Sequence, residues 1–134
     1  MGIFDAFKKK VPAPPSDSGS VTRPATGHLG DDHLLAIMAE DMDLSLPRDW
    51  VHYLYFSSEN AAQEAAEKIT AQGWQMKRQI LPSEDGSTWG VIVRRDDMTV
   101  NEKSVPEARA FFTAIATELG GEYDGWEAAF HPNI

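Results

Sequence analysis

The chain has 134 residues, 42% of them hydrophobic, no cysteine and a formal net charge of −9. That is enough for one domain with a core of its own. The missing cysteines exclude disulfides and thiolate metal sites and fit a cytoplasmic protein, no run of about 18 apolar residues offers a membrane span, and the N-terminus lacks the apolar core of a signal peptide.

Ile3, Phe4 and Phe7 stand at helical spacing before Lys8, Lys9 and Lys10. So short an amphipathic stub holds a membrane surface weakly without a second anchor, so a frayed terminus is the reading here. Pro, Ser, Thr and Gly dominate up to residue 27. Residues 1–27 are thus expected to be a flexible extension, and 28–134 a single domain.

Asp31 or Asp32 is placed to cap a helix running to about Met42, with Leu34, Leu35, Met38 and Met42 along one side and Ile37 beside them. Glu40, Asp41 and Asp43 fall near its C-terminus, where the helix dipole disfavours acids. Residues 50–57 are aromatic and branched, hence a strand. Ser57 or Ser58 caps a second helix with a narrow stripe of Ala61 or Ala62, Ala65 or Ala66, and Ile69, stopped by Gly73. Strands are predicted over 74–81 and 89–95, joined by a hairpin with Asp85-Gly86 at its turn.

Ser104-Val105-Pro106-Glu107 has capping-box spacing. Ala108, Phe112, Ile115 and Leu119 follow as a buried face, widened by Phe111 and Ala116, until Gly120-Gly121 stops the helix. In the last strand, Asp124-Gly125 marks a bulge that turns Tyr123 to the side occupied by Trp126, Ala128 and Phe130.

After the leading helix the order is β-α-β-β-α-β. It predicts an α+β fold, a ferredoxin-like sandwich of a four-stranded antiparallel sheet with two helices on one face. Leu54 and Phe56 oppose Tyr53 and Tyr55, and Ile92 opposes Trp89, Val91 and Val93, so both faces of the sheet carry apolar residues. The face away from the two helices then needs a cover, either the leading helix or a second copy of the sheet in a homodimer.

Catalytic patterns are missing: no Gly-x-Gly-x-x-Gly, no P-loop, no Gly-x-Ser-x-Gly. His28 and His33 are five apart, the wrong spacing for a metal pair on one helix face. His52 and His131 read as satisfied or surface histidines, and Glu122 with Asp124 as turn chemistry rather than a carboxylate pair. Tyr53 and Tyr55 on such a sheet suggest base stacking, but the basic and glycine-rich surroundings of RNA-binding modules are absent and the net charge opposes phosphates. No metal, no cofactor, no enzymatic activity and no direct nucleic-acid contact are expected.

Glu122-Tyr123-Asp124-Gly125-Trp126, followed by Phe130 and Pro132-Asn133, resembles the C-terminal motif of the regulator of ribonuclease E activity B (RraB) family. The resemblance extends over about residues 34–130 through the leading acidic helix, the strand and helix order and the long last helix. It implies a ferredoxin-like, non-enzymatic regulator that binds and inhibits the endoribonuclease RNase E and so modulates RNA degradation. Such ribonucleases carry arginine-rich segments, and a compact anionic domain can occupy them by charge-assisted pairing. From charge alone, the contact with this basic partner is expected on Asp31, Asp32, Glu40, Asp41, Asp43, Asp96 and Asp97. The motif residues Glu122, Tyr123, Asp124, Gly125 and Trp126 are expected to be structural. The alternative is a membrane-proximal or self-associating module that uses the Phe4/Phe7/Lys8–Lys10 stub and the apolar sheet face.

Overall fold

A computed structural model describes residues 26–129. The N-terminal stub, most of the Pro/Ser-rich stretch, and Phe130, His131 and Pro132-Asn133 lie outside them. The elements are α1 (Leu29–Asp41), β1 (Trp50–Phe56), α2 (Glu59–Thr70), β2 (Gln75–Met76), β3 (Leu81–Pro82), β4 (Trp89–Arg95), α3 (Ser104–Glu118) and β5 (Gly121–Ala128). The strand order is β2-β4-β1-β5, with β3 also beside β4, and every pairing is antiparallel. This is the α+β, ferredoxin-like arrangement expected from the element order.

The strand predicted over 74–81 forms only as two short pieces. Gln75 and Met76 pair with Arg94 and Val93, whereas Leu81 and Pro82 pair with Gly90 and Trp89. Four residues, 77–80, therefore span the distance that Val91 and Ile92 cover on β4. The surplus loops out at the sheet edge, where no outer ladder is lost and a proline without an N–H is tolerated.

Alternation in β1 decides what the core contains. Trp50, His52, Leu54 and Phe56 are fully buried toward the helices. Ala62, Ala65 and Ile69 of α2 and Ala108, Phe112 and Ile115 of α3 close over them, with Val91 and Val93 of β4. The alanines let α2 lie close on the sheet. Leu35 and Met38 of α1 enter the same core beside Trp50 and Trp126. The leading helix thus joins the other two on one side and leaves the far face of the sheet uncovered by it.

Two caps differ from expectation. His28, not Asp31 or Asp32, caps α1: its Nδ1 accepts from the Asp31 N–H at 3.1 Å. The capping box at Ser104 does not form. Instead Asn101 accepts from the N–H groups of Lys103 and Ser104, and the Ser104 hydroxyl donates to the Thr99 carbonyl. Ser58 caps α2 as read, accepting from Ala61 N–H at 3.1 Å.

Candidate functional site

β5 carries the motif, and its geometry follows from one glycine. The register against β1 slips between Tyr53 and Leu54: Gly125 faces Tyr53 and Tyr123 faces Leu54, so Asp124 is the extra residue of a bulge. Gly125 has φ +118°, a conformation that side chains resist. The bulge brings Tyr123 to the helix side with Trp126, as the sequence predicts.

There Tyr123 Oη lies 2.8 Å from His52 Nδ1. Burial pushes the Tyr123 phenol far up, against the opposing pull of Arg109, so it stays protonated. The His52 ring stacks on Phe112 at 4.3 Å between centroids, and Trp50 and Trp74 close around it. Burial, aided by the positive charge of Arg109, holds its pKa well below the ordinary histidine value. Its Nε2 has no hydrogen-bond partner among the described residues. A general base must reach its substrate. His52, at 0% exposure, is placed to pack.

A second buried group ties three elements together. Arg109 of α3 donates from Nε and Nη2 to the two carboxylate oxygens of Asp31 at 2.7 and 2.9 Å. The Trp126 indole donates to the same carboxylate at 2.9 Å. Burial works against the Arg109 charge, but the Asp31 carboxylate outweighs it and the guanidinium pKa is raised. Arg109 also lies 5.1 Å over the Tyr123 ring.

The acids expected to meet a partner separate into distinct places. Asp31 is removed from any exposed surface: it is 3% exposed and both its oxygens are engaged inside the fold. Asp32 accepts from the Thr26 N–H at the start of α1. Glu40 is exposed near the other end of α1, about 20 Å long by its rise per residue, and Asp41 is its last residue. Asp43 is exposed just beyond, and hydrogen bonds from the Ser45 hydroxyl and N–H lower its pKa. Asp96 and Asp97, after β4, are exposed but bonded to Arg94 at 3.1 Å and Arg95 at 2.7 Å. Glu122 is exposed on β5.

Two arginines escaped the sequence reading. Arg48 is buried and donates to the Asp43 and Ala129 carbonyls, fastening the end of α1 to the end of β5. Nothing local distinguishes Arg48 or Arg109 from a surface arginine; Arg109 meets Asp31 from 78 residues away, and Arg48 joins the nearby Asp43 carbonyl to that of Ala129, 81 residues on. Among the described residues no group of three or more His, Asp or Glu is arranged to hold a metal ion, and no helix is long and apolar enough to cross a membrane.

A family model described as regulator of ribonuclease activity B (RraB) matches residues 31–128. A search of curated proteins returns no match.

Proposed function

Because the chain belongs to the regulator of ribonuclease activity B family, we propose that it is a non-enzymatic protein that binds and inhibits RNase E, or a similarly basic RNA-processing partner, through its acidic surface. On this reading it acts in the cytoplasm and shifts which RNAs are degraded.

The observation that carries the reading is the imbalance of charge on the folded body. Residues 26–129 hold nineteen acidic and eight basic side chains. Five of the eight bases are engaged within the fold. Arg109 serves Asp31, Arg48 serves two carbonyls, Arg94 and Arg95 serve Asp49, Asp96 and Asp97, and Lys68 lies 3.7 Å from Glu118. The last turn of α1 holds Glu40 and Asp41 with no basic residue, and Asp43 follows, where the buried Arg48 offsets part of the charge. A field of this sign draws in basic segments and sets the rate and salt dependence of encounter. Asp32, Asp96 and Asp97 add to it, partly screened by their own partners.

The test is cleavage of an RNA substrate by RNase E with the full chain added. Inhibition is expected at low salt and should fade as ionic strength rises past the point where exposed charges are screened. The double reversal Glu40→Lys, Asp43→Lys should weaken inhibition about tenfold at low salt. Absence of inhibition by the wild type at low salt would overturn the reading, and inhibition indifferent to salt and to the reversal would remove the charge mechanism.

A further inference from the structure

With all three helices on one side, the opposite face of the sheet is a surface of defined composition. Its rows across β4, β1 and β5 read Arg94–Val51–Glu127, Ile92–Tyr53–Gly125 and Gly90–Tyr55–Glu122. Val51 and Ile92 are buried, whereas Tyr53 and Tyr55 remain half-exposed. A Cβ on Gly90 would lie 3.4 Å from the Tyr55 ring, so that ring lies over the glycine.

Charge divides across this face. On the β4 side, Arg94 is committed to Asp49, Gln75 and Asp96, and Arg78 acts on Tyr53 from the looped edge. On the β5 side stand two carboxylates. Glu127 is hydrogen-bonded to Tyr53, and its Oε1 is buried without a partner among the described residues. Glu122 is exposed beside Tyr55.

We propose that this face docks an extended, arginine-bearing segment of the partner, with guanidinium planes on Tyr53 and Tyr55, N–H groups directed to the exposed Glu122, and Glu127 adding negative charge beside Tyr53. The inference rests on the function proposed above and names the chemistry that function would use. A guanidinium stacks on a phenol and forks to a carboxylate at once, whereas an ammonium is a point charge that does neither as well. Tyr53 and Tyr55 are two residues apart on one strand, about 6.6 Å, which matches alternate residues of an extended chain. Phosphates are disfavoured by the carboxylates and by the net charge.

Calorimetric titration of the full chain with a short peptide alternating arginine and serine, and with its lysine twin, tests this. The arginine peptide should bind about tenfold tighter than its twin. That advantage should vanish in Tyr53→Leu, Tyr55→Leu and in the near-isosteric Glu122→Gln, Glu127→Gln, the second of which carries the test if the first misfolds. Four outcomes would overturn the proposal: equal binding of the twins, unchanged binding in the variants, a single-stranded RNA oligonucleotide taking the face instead, or a wild-type dimer dissociated by the tyrosine variant. Inhibition of RNase E measured in parallel separates the two claims. Variants that lose the peptide yet still inhibit overturn the docking face and leave the proposed function. Arginine preference without inhibition by the wild type supports the face and sinks the function.

Discussion

His52 sits where the fold disfavours a proton. Its ring is enclosed by Trp50, Trp74, Phe112 and Tyr123, and Arg109 adds positive charge nearby. The folded pKa is depressed, so between that value and the ordinary 6.5 the unfolded chain binds a proton that the folded chain refuses. Stability is therefore complete above pH 6.5 and declines as pH falls below it. The slope should approach about 1.4 kcal/mol per pH unit. Urea midpoints measured from pH 8 down to about 5, above the range where the carboxylates titrate, should fall in the wild type and flatten in His52→Phe. Parallel curves for the two proteins would refute a buried neutral histidine. Alternation along β1 already places His52 on the same face as Trp50 and Leu54. Its partner does not follow from alternation, because Tyr123 lies 71 residues away and reaches it only through the bulge at Asp124-Gly125.

At the scale of elements, α1 is held by apolar area and by one polar tie. Leu35 and Met38 enter the core, and the tie is the Asp31 carboxylate between Arg109 and Trp126. Removing it leaves a cation, partly shielded from water, and a buried indole without an acceptor. Asp31→Ala should lower unfolding free energy by about 3 kcal/mol in denaturant titrations. Asp31→Asn should recover part of that, because it keeps an acceptor for the indole. A cost below about 0.5 kcal/mol for Asp31→Ala would mean that apolar contacts alone hold the helix. Read locally, Asp31 is one more acid in the first turn of a helix. Its partners Arg109 and Trp126 are 78 and 95 residues away, so charge alone places it on an exposed acidic surface.

For the molecule as a whole, the dominant long-range term is self-repulsion. Exposed acids outnumber the bases left to balance them, and such a surface destabilises the compact state at low ionic strength. Raising salt from a few millimolar to about 0.5 M should increase the melting temperature by a few degrees. Glu40→Lys should melt higher than the wild type at low salt and show a smaller gain with added salt, since it removes repulsion and complements the end of α1. A melting temperature that falls with salt would show instead that the Arg94, Arg95 and Arg109 pairs outweigh the excess of acid.

The strand over 50–56, the buried stripes of α2 and α3, the turn at Asp85-Gly86 and the bulge before Trp126 were all determined by residues within a few positions of one another. Period, glycine placement and turn chemistry are local properties, so these elements and their order are legible in the chain alone. The tertiary structure decided which side of the sheet α1 takes, the two-residue slip that splits β2 from β3, and which acids turn inward. An apolar stripe fits any apolar surface, and a carboxylate shows nothing of its partner until distant segments have packed. Whether an acid faces solvent or a half-buried guanidinium is therefore settled only by the packed fold.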